Sequence, residues 1–78
     1  MQEKSKAFLE SLCLAACRRR PGCTHLQRVV IGRIKPLGGG PNWEVLAFKP
    51  ELPSFARGEA LKAVNLVRGM YSLAPTGS

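Results

Sequence analysis

Three cysteines and the single histidine lie close together as Cys13, Cys17, Cys23 and His25, spaced C-x3-C-x5-C-x-H. Three sulfurs and an imidazole nitrogen are a zinc ligand set, and residues four apart on a helix point the same way. The spacing nevertheless matches no finger or knuckle, in which close cysteine pairs hold the metal. Cys13 and Cys17 sit on an apolar helical stripe, where a free thiol behaves as a small hydrophobe. They are read as buried thiols, and neither a metal nor a cofactor is expected. A thiolate nucleophile needs a lowered pKa and a base within reach. His25 near Cys23 is the one available combination, and the chain has no Asp to orient the imidazole. The glutamates are scattered, so paired-carboxylate chemistry is not expected either. Gly38-Gly39-Gly40 leads into a strand and not a helix, so it reads as a turn and not as a phosphate cradle. The expectation is a protein that binds without catalysing.

The other chemistry-bearing residues are cations. Twelve Lys and Arg against five acidic residues leave a net charge of +7, which biases encounters toward nucleic acid, acidic proteins or anionic surfaces. Arg18, Arg19, Arg20, Arg28, Arg33 and Lys35 lie at the end of one element and along the next, so they are the candidate contacts to a phosphate backbone. No helix-turn-helix spacing, aromatic RNP strand or GxxG clamp accompanies them. The reading from another class is a protein-interaction or dimerisation module, with Val30 and Trp43 on its docking surface.

Residues 5–19 place Phe8, Leu12 and Ala16 in one row and Leu9, Cys13 and Cys17 in the next, which predicts an amphipathic helix stopped by Pro21-Gly22. Residues 26–35 carry Val29, Val30 and Ile31 in succession and predict a strand. Residues 36–42, with two prolines and three glycines, predict a mobile hairpin loop. Trp43 to Lys49 predicts the second strand, and Pro50-Glu51-Leu52-Pro53 an extended connector. A second helix is expected over 54–73 with Ser54 as its N-cap, followed by a free tail over 74–78.

The expected fold is therefore a single α+β domain in the order α-β-β-α, with one antiparallel hairpin and two amphipathic helices. A β-bulge at Gly32 would bring Val29, Ile31 and Ile34 to an inner face and Arg28, Val30, Arg33 and Lys35 to an outer, basic one. Trp43 with Val45, or Leu46 with Phe48, would join that outer face. Two strands alone are marginal in water, so a homodimer with a four-stranded sheet is expected.

At 78 residues the chain holds one small core and excludes a multidomain enzyme. Its apolar share of 45% supports folding over disorder. Leu14-Ala15-Ala16-Cys17 has the form of a lipobox, but Glu10 interrupts the apolar run and Arg18 to Arg20 follow it, so lipid processing is not expected. No apolar stretch reaches the roughly 20 residues needed to span a bilayer. An odd number of cysteines is a poor disulfide framework, so a reducing, cytoplasmic setting is expected and no membrane partner.

The strand Asn42-Trp43-Glu44-Val45, the Pro50-Glu51-Leu52-Pro53 connector and the Ala60 to Tyr71-Ser72-Leu73 segment resemble short bacterial proteins of no assigned activity. In those, an N-W-x-V strand leads through a Pro-Leu-Pro connector to a final Tyr-x-Leu helix. The resemblance covers residues 41–73 and implies a similar element order, with no functional residues to transfer.

Overall fold

The computed structural model describes residues 2–36 and 38–75. The elements are β1 (Gln2–Lys4), α1 (Lys6–Arg18), β2 (Arg28–Arg33), β3 (Trp43–Lys49), α2 (Ser54–Arg68) and β4 (Tyr71–Leu73). The fold is α+β, and the order is β-α-β-β-α-β. β2 and β3 form the expected antiparallel hairpin, while β1 and β4 form a second, parallel pair.

Ser5 starts α1, its Oγ accepting the Phe8 N–H at 3.1 Å and so satisfying one orphan donor of the first turn. Leu9, Cys13 and Cys17, four residues apart, point into the core and are fully buried. α2 meets them with Ala56, Ala60, Ala63, Val64 and Val67. These small side chains let the helices pack closely, so that the Cys17 thiol donates to the Ala60 carbonyl at 3.5 Å and the Cys23 thiol to the Ala56 carbonyl at 3.3 Å. Gly22 permits this approach. Its φ is +80°, and a Cβ there would lie 3.1 Å from that of Ala56.

The hairpin supplies the other side of the core. Val29 pairs with Phe48, Ile31 with Val45 and Arg33 with Trp43, so these six share the face toward the helices. Trp43 and Ile31 are fully buried, each contributing about 2–3 kcal/mol by area. The helices thus cover one face of the hairpin, and the buried residues form one continuous cluster.

Four expectations are corrected here. The bulge lies on β3: Val30 pairs with Ala47 and Ile31 with Val45, leaving Leu46 as the extra residue. β2 therefore keeps strict alternation, and the Leu46 side chain folds over Gly32, where a Cβ would collide with it at 2.6 Å. The second helix ends at Arg68 with Gly69 as C-cap, and Tyr71–Leu73 is a strand and not a last helical turn. Ser54 is the first helical residue; the N-cap is Pro53, without a side-chain cap. The tail is tied down as far as Ala74, whose N–H donates to the Lys4 carbonyl at 2.9 Å. Residues 76–78 lie outside the described residues, as does Leu37 of the expected mobile loop.

Side chains join the two sheets. Asn42 copies a strand neighbour, donating from Nδ2 to the Leu73 carbonyl at 2.9 Å and accepting the Leu73 N–H at 2.8 Å. Trp43 Nε1 donates to the Tyr71 carbonyl at 3.1 Å, and Arg33 donates to the Ala74 carbonyl. Arg68 Nε donates to the Trp43 carbonyl at 2.9 Å.

Candidate nucleic-acid interface

The six cations singled out in the sequence divide into two groups. Arg20 and Arg33 serve the fold. Arg20 pairs with Glu59 at 2.7 Å, and Lys62 reaches the same carboxylate at 3.1 Å. The hydrogen bond from Lys62 and that from Arg20 hold the Glu59 carboxyl below its ordinary range against the opposing effect of desolvation. Arg20 Nε is buried with no partner among the described residues. Arg33 is held at the C-terminal segment by its bond to Ala74.

Arg18, Arg19, Arg28 and Lys35 remain outside the core, free of these fold-directed bonds. Arg18 closes α1 and Arg19 caps it, where positive charge suits the carbonyl end of the helix dipole. Arg28 opens β2. The helix and the strand meet around a shallow cleft of about 220 Å³ lined by Ser11, Leu14, Gln27 and Arg28. Arg18 lies one turn beyond Leu14 on the same helical row and is exposed. Lys35 stands apart. It lies beyond the far end of β2, which Arg28 opens and Arg33 closes.

A cation that the sequence reading missed completes the near group. Lys49 is the register partner of Arg28, so two like charges sit directly opposite one another on the outer face of the hairpin. Such pairs are destabilising in a sheet, by a few tenths of a kcal/mol to about 1 kcal/mol. Counting register back from the glycine loop would have put Phe48 opposite Arg28; the bulge at Leu46 shifts the pairing by one residue and brings Lys49 there, and the sequence carried no signal for it.

The proposed docking pair does not assemble. Trp43 is fully buried on the inner face, since its aromatic surface fills the space between the hairpin, α2 and β4. Val30 is half-buried on the outer face opposite Ala47. Strict alternation on β2 also turns Val30 and Arg33 to opposite faces, so the sticky and basic surface expected from a bulge at Gly32 is not formed.

The thiols are buried as expected, with Cys13, Cys17 and Cys23 all fully covered. Burial, then the neighbouring Cys17 and Glu10, pushes the Cys13 thiol up to about 12. Burial and the neighbouring Cys23 push Cys17 up to about 11. Burial and Glu59 raise Cys23, opposed by Arg20. In all three, burial favours the protonated thiol over the thiolate. Among the described residues no group of three His, Cys, Asp or Glu side chains could hold a metal ion. No helix among them is long and apolar enough to cross a membrane.

No protein-family model matches the chain, and no curated protein or solved structure matches it. Its α+β architecture and its charge pattern are therefore the ground for a functional reading.

Proposed function

We propose that this chain is a non-catalytic cytoplasmic binding protein that contacts the phosphate backbone of nucleic acid through Arg18, Arg19, Arg28 and Lys49. The observation that carries this reading is the cross-strand pair Arg28–Lys49, which costs the free protein stability and is relieved when a polyanion lies across it. Among the described residues both ion pairs are spent on Glu59, and the carboxylates nearest this pair, Glu10 in the cleft with Arg28 and Glu51 in the groove with Lys49, form no ion pair with either cation. The excess positive charge around Arg28 is thus left for an outside anion.

The mechanism is electrostatic. Each phosphate neutralised by one of these cations releases condensed counterions, which gives affinity without reading sequence. The absence of an exposed aromatic platform on this face fits backbone contact: Trp43 is in the core, and Phe48 is nearly so. Three reduced, buried thiols support the cytoplasmic setting. Binding to duplex DNA and to structured RNA, followed by fluorescence anisotropy at low ionic strength, tests the proposal. Comparable affinity for unrelated sequences supports it; indifference to both polymers overturns it.

A further inference from the structure

The hairpin's two edges differ. At β2, Glu10 of α1 accepts the outward-pointing Ile31 N–H at 3.0 Å, so the helix closes that edge. At β3 the ladder parity can be read from two bonds. Ile34 N–H donates to the Asn42 carbonyl at 2.9 Å and Gln27 N–H to the Lys49 carbonyl at 2.8 Å, so residues 42 and 49 face β2. Alternation then turns the backbone of Trp43, Val45 and Phe48 outward. The Trp43 carbonyl is taken by Arg68 of α2, whereas Val45 and Phe48 border an open groove of about 270 Å³.

That groove runs between β3, the connector and the first turns of α2. Val45, Phe48, Leu52 and Leu61 give it an apolar floor, and Lys49 and Arg57 stand on its rim with one opposing carboxylate, Glu51. Among the described residues neither rim cation is ion-paired. We infer that this groove is a strand-addition site for an extended acidic peptide segment of a partner protein. The peptide's main chain pairs with Val45 and Phe48, alternate apolar side chains enter the groove, and its carboxylates meet Arg57 and Lys49. Charge selects this occupant over a second copy, because two chains of +7 each repel and would bring their own Arg57 and Lys49 together.

The groove lies on the opposite edge of the hairpin from the α1–β2 cleft and shares only Lys49 with the proposed phosphate contacts, so Arg57, Leu61 and the Val45 and Phe48 amides report on it separately from nucleic-acid binding. The test is a titration of the ¹⁵N-labelled protein with a peptide roughly six residues long, a typical strand length, that alternates Glu and Val. A peptide alternating Lys and Val is the charge control. The expected result is shift changes and slowed amide exchange at Val45 and Phe48, with affinity for the Lys peptide lower by about tenfold or more. Arg57→Glu, an exposed change that leaves Arg28 and the helix end untouched, should weaken the Glu peptide by about fivefold or more. Leu61→Ser should weaken it without changing its salt dependence. Equal binding of the two peptides, perturbation confined to the Arg18–Arg28 side, or a concentration-dependent doubling of mass that protects the same amides overturns the inference.

Discussion

The Glu10 carboxylate accepts the Ile31 N–H at 3.0 Å across the gap between α1 and β2. A helix side chain thus takes the place of a third strand and fixes which edge of the hairpin stays open. Glu10→Ala leaves that donor unsatisfied and should cost about 1–3 kcal/mol in urea denaturation. Glu10→Gln keeps an acceptor and should cost less than half as much.

Asn42 does for β4 what Glu10 does for β2, exchanging two hydrogen bonds with the Leu73 backbone at 2.9 and 2.8 Å. Asn42→Ala should destabilise the protein by about 1–3 kcal/mol. Amide exchange at Leu73 should accelerate more than at Val29 or Ile31, because the loss frees the C-terminal strand before the hairpin.

The thiols predict an alkaline limit. Cys13 and Cys17 are raised to about 12 and about 11 in the folded chain, against an ordinary 9.0 when unfolded. A raised pKa means the unfolded chain releases its protons first, so this stability is fully present below pH 9.0 and is lost as pH rises toward 11–12. Denaturation curves across that window should fall more steeply for the wild type than for a Cys13→Ala, Cys17→Ala variant. Iodoacetamide at neutral pH should label these residues only as fast as the protein opens.

Gly22 holds φ at +80° with Ala56 Cβ only 3.1 Å from where its own Cβ would be. Gly22→Ala should therefore lower stability by about 1–2 kcal/mol, read from the thermal midpoint. Gly58, which has nothing within 4 Å of such a Cβ and lies inside α2, should gain up to about 1 kcal/mol on the same change.

The helices and the hairpin were legible because their apolar periods are local. Leu9, Cys13 and Cys17 repeat every four residues, and Val29 to Ile31 and Trp43 to Phe48 flank an unmistakable glycine turn. β1 and β4 were not, since Gln2-Glu3-Lys4 shows no apolar alternation and Tyr71 continues the helical spacing from Val64 and Val67. Their pairing depends on contacts across the whole chain, including the Asn42 bridge. The bulge falls on the other strand because a glycine marks either the bulged residue or the place where a neighbouring side chain must fold over the backbone. Gly32 is the second case, under Leu46. At the candidate site, Arg18, Arg19 and Arg28 stood out as cations in the sequence, but composition alone could not show that Arg20 and Arg33 are spent on Glu59 and Ala74, or that Lys49 faces Arg28.

The central claim is that Arg28 and Lys49 are held opposite one another for a polyanion, and Arg28→Glu tests it most directly through the salt dependence of duplex DNA binding. Four phosphate contacts predict a slope of log K against log salt of roughly −3 to −4 for the wild type. Arg28→Glu should flatten that slope by at least about one unit while raising stability by about 0.2–1 kcal/mol, because the new carboxylate would attract Lys49 where the guanidinium repels it. Unchanged affinity and slope in this variant, or no binding by the wild type at low salt, would contradict the account.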